Sequence, residues 1–171
     1  MFKTPLLILT FFILLFTGCS SHLTKKNVQL SSSKIYAIGS FWNYTETPMA
    51  GLRAASIVES VATQKGVKLY SLTQGSDELA ENNNKLNFLK KEMERAKALK
   101  ADYLITGEVQ EWRYKTGIDG EPVVSYTIKI IQLNDGSTQF NGVGAKSGWG
   151  HKSIGIVAQE IAQELLPTFI P

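Results

Sequence analysis

Ile35, Tyr36, Ile38, Phe41 and Trp42 cluster within residues 34–43 without strict alternation, the pattern of a strand covered on both faces. A turn at residues 43–48 follows, with Thr47 placed to cap a helix and Pro48 suited to its first position, where no N–H partner is needed. Ala54, Ile57, Val58, Val61 and Ala62 then recur at helical spacing, and Gly66 can take the left-handed position that ends the helix. A short strand over 67–72 and a polar loop over 73–84 lead to a second helix over 85–100, with Leu86, Leu89, Met93, Ala96 and Leu99 as its predicted buried side. Residues 103–115 read as a long strand. Its bulk sits on odd positions up to Val109 and on even ones at Trp112 and Tyr114, which predicts a bulge near Gln110 and Glu111. Val124, Tyr126, Ile128 and Ile130 alternate along the next strand, Asn134-Asp135-Gly136 makes a tight turn, and residues 137–147 return as a glycine-rich strand. Ser153 caps a last helix carrying Ile154, Val157, Ala158, Ile161, Ala162 and Leu165, which Pro167 stops. The order β-α-β-α-β-β-β-α predicts a single α/β domain: a mixed sheet with helices packed on both faces.

The N-terminus has a different pattern. Lys3 precedes an apolar run over 6–16, broken only by Thr10, and small residues lead into Cys19. Such a run is too short for a permanent crossing of a bilayer core about 30 Å thick, so residues 1–18 read as a signal peptide. The sequence around Cys19 resembles a bacterial lipobox, which implies cleavage before Cys19 and acylation of that residue; several chains together make a stable anchor. Ser20 after the cysteine, where Asp would signal inner-membrane retention, favours the outer membrane in that family of signals. Residues 19–33 then read as the lipidated cysteine and a flexible, serine-rich tether reaching at most about 45 Å, and residues 34–171 as the domain.

Cleavage after residue 18 leaves 153 of the 171 residues, enough for one domain with a core. It also leaves 17 basic against 15 acidic side chains, a balance that argues against a nucleic-acid binder. With Cys19 acylated no thiol remains for a disulfide or a metal. His22 falls in the tether and His151 just before the last helix, and no G-x-S-x-G motif accompanies them, so no nucleophile-base-acid set is nominated. Residues 142–147 imitate a phosphate loop only in part: Phe140 and Ala145 stand where the motif needs glycines, so these glycines are read as allowing twist or close backbone approach. The second helix presents six basic residues against Glu92 and Glu94. Residues 101–121 hold Asp102, Glu108, Glu111, Asp119 and Glu121 against Arg113 and Lys115, which reads as an acidic surface or a plain solvated loop. Trp149, between two glycines, fits either a water-lipid boundary or packing against its own or a neighbouring chain.

Three stretches carry a resemblance: residues 41–60, residues 111–124 with Asp119-Gly120-Glu121-Pro122-Val123, and Ser147-Gly148-Trp149. Together they resemble the PelC family, outer-membrane lipoproteins of Pel exopolysaccharide secretion with a CsgG-like fold. The resemblance implies a homo-oligomeric ring of about twelve subunits on the periplasmic face of the outer membrane. It further implies an acidic funnel guiding a cationic amino-sugar polymer toward a PelB-type channel protein, with no enzymatic step and no cofactor beyond the lipid on Cys19. Asp119 and Glu121 are then the candidates for the polymer-guiding pore and Trp149 for membrane contact. Two other classes stay open: a lipoprotein that activates a peptidoglycan synthase as a monomer, and a small glycan-processing enzyme using the acids.

Overall fold

The computed structural model describes residues 21–25, 27–73, 84–116, 120–148 and 152–171. In chain order the elements are β1 (Ser21–Lys25), β2 (Gln29–Ser31), β3 (Ile35–Asn43), α1 (Ala50–Gln64), β4 (Lys68–Ser71), α2 (Lys85–Ala98), β5 (Tyr103–Tyr114), β6 (Pro122–Gln132), β7 (Thr138–Ser147), α3 (Ile154–Leu165) and β8 (Thr168–Ile170). Among the described residues they form a six-stranded sheet of order β1-β7-β6-β5-β3-β4 and a two-stranded one, β2-β8. β3 runs parallel to both β4 and β5, and β5, β6, β7 and β1 follow as antiparallel neighbours. The mixed sheet and the predicted order of its main elements are therefore observed, as is the bulge of β5, where the register with β6 shifts between Val109 and Glu111.

One face of the sheet packs on α1 and α3. Tyr36, Ile38, Ile105, Tyr126, Ile128, Ile130 and Phe140 meet Val58, Val61, Ile161 and Leu165 there in one buried cluster. Full burial of such a side chain contributes about 1.5–3 kcal/mol, and the buried Tyr126 hydroxyl is satisfied by donating to the Ala158 carbonyl at 2.6 Å. α1 ends as predicted. Gly66 has φ +81°, and the Gly66 and Val67 N–H groups return to the Thr63 and Ala62 carbonyls, which satisfies the last turn. The glycines of β7 also serve close approach: a Cβ at Gly144 would overlap Ile161, and one at Gly142 would crowd Leu165.

α2 covers a smaller cluster on the opposite face, Ala37, Leu72, Ala96, Leu104 and Leu133. Helices thus pack on both faces, but α2 is rotated from its predicted orientation. Phe88 and Glu92 turn inward beside Ala96, Leu89 and Met93 pack partly buried against the cluster as predicted, and Leu86 and Leu99 are exposed. The reason lies in β3, whose register against β5 shifts between Ile38 and Phe41. This bulge frees the Ser40 N–H, and the Glu92 carboxylate accepts from it at 3.3 Å while also pairing with Arg95 at 3.0 Å.

Three local expectations are corrected. Residues 19–33 are not a tether throughout: β1 pairs antiparallel with β7, and β2 pairs in parallel with β8 beyond Pro167. Leu23 and Leu30 supply the apolar contacts that hold these strands on the core, and β1 covers the ladder groups that β7 would otherwise leave unpaired. Helix α1 begins at Ala50, not after Thr47; Met49 precedes it with φ 60° and makes no side-chain cap. The Thr47 hydroxyl instead donates to the Trp112 carbonyl at 2.6 Å, tying the loop to β5.

Candidate functional site

The three stretches singled out above converge on one end of the sheet. The Tyr44 N–H donates to the Val109 carbonyl at 3.0 Å, and Thr47 reaches Trp112, so the loop after β3 lies against the far part of β5. The Gly148 N–H donates to the Pro122 carbonyl at 2.8 Å, and the Ile154 N–H to the Tyr114 hydroxyl at 3.4 Å. The β5–β6 hairpin tip, the end of β7 and the start of α3 are thereby gathered together. The register of β1 brings the N-terminal chain to the same end, because Ser21 lies opposite Lys146.

Glu121 stands at this tip. Its carboxylate accepts from Lys115 Nζ at 2.8 Å, and its carbonyl accepts the Lys115 N–H at 2.7 Å, so the hairpin closes through both backbone and charge. Glu111 pairs with Arg113 at 3.2 Å. Counted over residues 111–121, three acids face two bases, a net −1. Cys19, Asp119, Trp149 and His151 lie outside the described residues; Gly120 and Gly148, beside Asp119 and Trp149 in the chain, belong to this end.

The remaining acids of the predicted acidic stretch are spent elsewhere, which corrects its reading as one negative surface. Asp102 accepts the Ile35 N–H at 2.9 Å and pairs with Lys34 at 3.5 Å, at the opposite end of the sheet. Glu108 is held by Lys129 at 2.6 Å and Lys85 at 2.9 Å on the face that carries α2. Partial burial pushes the Glu108 carboxyl up, but hydrogen bonds from the two lysines outweigh it and hold the group below the usual carboxylate range. These cations come from distant parts of the chain, so no local count could reveal the neutralisation. An open hollow of about 490 Å³ beside Asp102, lined also by Lys34, Lys97, Tyr103 and Gln132, lies away from the gathered end. Among the described residues, no group of three or more His, Cys, Asp or Glu side chains could hold a metal. No helix among them is long and apolar enough to cross a membrane.

A mixed sheet flanked on both faces by helices, with a charged hairpin tip at one end, defines a small α/β domain of a type found among bacterial lipoproteins. A lipoprotein from Neisseria meningitidis shares the fold at TM-score 0.58 and 10% identity, covering 77% of this chain and 96% of that one. A PelC dodecamer from Paraburkholderia phytofirmans is similar at TM-score 0.72 and 27% identity, over 89% of this chain and all of that one. A second structure of that dodecamer, of a point-substituted form, gives 0.69 and 30% identity over 86% and 96%. The chain belongs to the PelC family. No protein-family model matches it, and no curated protein does.

Proposed function

We propose that this chain is a lipid-anchored ring protein of Pel exopolysaccharide export, held by acylated Cys19 at the periplasmic face of the outer membrane. The observation that carries the reading is the 30% identity to a PelC dodecamer over 86% of the chain. The membrane-proximal end is the gathered one. With Ser21 already in the sheet opposite Lys146, only Ser20 separates Cys19 from the fold. Two Cα–Cα steps span about 7 Å, so the anchor holds the hairpin tip and the Trp149 segment close to the lipid instead of letting the domain stand off.

In a closed ring every tip lies at the same height, so the net −1 of each is repeated around the axis. Asp119 and Glu121 are the polymer-facing acids of this proposal, Glu121 partly offset by Lys115, and Trp149 is the membrane contact. Such a field attracts a cationic amino-sugar polymer weakly at many equivalent points and leads it to a PelB-type channel, with no covalent step and no cofactor. Weak, exchangeable contacts suit transport, since tight ones would stall the chain.

The native mass of the lipidated protein in mild detergent, corrected for bound detergent, tests the ring: a discrete mass near twelve protomers is expected, and a stable monomer at high concentration overturns it. For the guiding role, Asp119→Lys in a strain that depends on this gene is expected to lower secreted polymer severalfold while the mutant protein remains lipidated and assembled. Normal secretion from such protein would remove Asp119 from the mechanism.

A further inference from the structure

The end of the domain opposite the hairpin tip carries a different charge. Lys68 and Ile35 are register partners at the starts of β4 and β3, Lys34 precedes Ile35, and Asp102 accepts the Ile35 N–H just before β5. Lys65 follows α1, and Lys97 and Lys100 stand where α2 ends. These five exposed lysines form a row across the end, against Asp102 beside Lys34 and Asp135 in the β6–β7 turn, a net +3. The 12 residues of β5 span about 36 Å between this row and the tip. With a screening length of about 8 Å at physiological salt, the two ends act independently.

Helix termini explain part of the row. Lys65, Lys97 and Lys100 lie at helix C-termini, where positive charge is favoured. Lys34 and Lys68 stand at strand starts and have no such reason. Both acids are already engaged. Asp102 holds the Ile35 N–H at 2.9 Å and Lys34 at 3.5 Å, and Asp135 accepts from the N–H and the hydroxyl of Ser137 in its own turn at 2.9 and 2.7 Å. Lys65, Lys68, Lys97 and Lys100 make no ion pair among the described residues. The hollow of about 490 Å³ lies within the row and has Lys34, Lys97 and Asn134 in its wall. Its volume falls in the range of about 300–1,000 Å³ usual for ligand pockets. The Asn134 amide has no side-chain partner among the described residues, so it is free to bond a ligand.

The chemistry that fits is a chain of carboxylates. Neighbouring strands lie about 4.8 Å apart, so the row from β4 across β3 and β5 to β6 spreads over about 15 Å. A single phosphate needs donors converging on one point and gains from a helix N-terminus, whereas α1 and α2 present their C-terminal carbonyls here. A cationic polymer is repelled, so this end is no part of its path. We propose that the row and its hollow bind an acidic polypeptide segment of a partner protein. Its carboxylates meet Lys34, Lys68 and Lys97, and its backbone bonds the Asn134 amide. With Cys19 anchored as proposed above, this end faces away from the membrane and is open to such a partner.

The full lipidated protein in mild detergent, titrated with a fluorescent oligoglutamate peptide and followed by anisotropy, tests the site. Salt-sensitive binding of this peptide is expected, and none of an oligolysine peptide of the same length. Lys97→Glu is expected to weaken binding about tenfold, the loss that follows from removing a charge-assisted hydrogen bond. Asn134→Ala, which changes no charge, is expected to weaken it about threefold through one neutral hydrogen bond. Arg53→Glu makes the same charge change in the first turn of α1, toward the hairpin tip, and is expected to stay within about twofold of the wild type. All three side chains are exposed, so the melting temperatures should stay near the wild type's. Failure to bind oligoglutamate overturns the site, and so does an equal loss in Lys97→Glu and Arg53→Glu, which would report net charge alone. Unchanged binding by Asn134→Ala overturns the role of the hollow. Displacement of the peptide by inorganic phosphate or by purified peptidoglycan fragments at lower concentration than by unlabelled oligoglutamate overturns the class of ligand. A monomeric wild type that binds the peptide in the expected pattern overturns the ring reading alone and leaves this site in place.

Discussion

Gly144→Val is expected to lower the melting temperature by about 3–10 °C, from an overpacking cost of about 1–3 kcal/mol in a domain of this size. Local preference points the other way. Gly144 lies inside β7, where a β-branched residue should gain up to about 1 kcal/mol over glycine. Packing decides the sign. A Cβ at Gly144 meets the Ile161 Cγ2 methyl, which sits on the branched carbon of a fully buried side chain and has no free end to swing away, and Leu23 crowds it at 3.2 Å. The same geometry supplies the control. Ile161→Ala alone opens a cavity at a cost of about 2–5 kcal/mol, but it also removes the methyl that valine would strike. Gly144→Val should therefore be less harmful, or even helpful, in the Ile161→Ala background, with a coupling of about 0.5–3 kcal/mol in thermal or denaturant unfolding. A single Gly144→Val variant that melts at or above the wild type would show that α3 can give way, contrary to the close packing argued for β7.

The parts of the fold that a one-dimensional pattern reveals are those whose burial is decided by one neighbour on each side. Val124, Tyr126, Ile128 and Ile130 all face α1 and α3, so their alternation reads directly as β6. Ser153 announces α3 because its hydroxyl accepts the Ile156 N–H at 3.3 Å, a bond made within one turn. The phase change in β5 is equally local and marks its bulge. What stays hidden depends on distant partners. β1 is polar and short, and only the edge of β7, far along the chain, makes it a strand. The α2 rotation follows from a freed N–H in β3. The gathered end was partly legible, since the quoted stretches held its residues, but their meeting needed bonds such as Thr47 to Trp112 and Gly148 to Pro122. The Lys115 partner of Glu121 was an ion pair a hairpin register could have foretold, because the two residues face each other across the turn, and so was the Lys129 partner of Glu108 across the same two strands.

Glu92 gives the second large effect and a pH dependence of definite sign. The residue is 1% exposed and sits against Gly39, where a Cβ would overlap its Oε2, so the carboxylate and the bulge fit each other closely. Burial pushes its carboxyl above the ordinary 4.5, and the opposing pull of Arg95 and of the Ser40 N–H does not cancel that rise. The folded protein therefore holds this proton more tightly than the unfolded chain does. Its contribution to stability is full below the unfolded carboxyl pKa and is lost as pH rises through the higher folded value. Glu92→Gln keeps an oxygen for Ser40 and removes the charge, so its melting temperature should exceed the wild type's near neutral pH. The gap should close on acidification toward about pH 4, where the wild-type side chain is protonated too. Glu92→Ala has the opposite outcome at every pH, because it leaves the Ser40 N–H buried without its acceptor at a cost of about 1–3 kcal/mol. Thermal melts of the three proteins across that range decide the matter: a glutamine variant less stable than the wild type near neutrality would mean that the Arg95 pair outweighs burial and that the ionised form is the one the fold prefers.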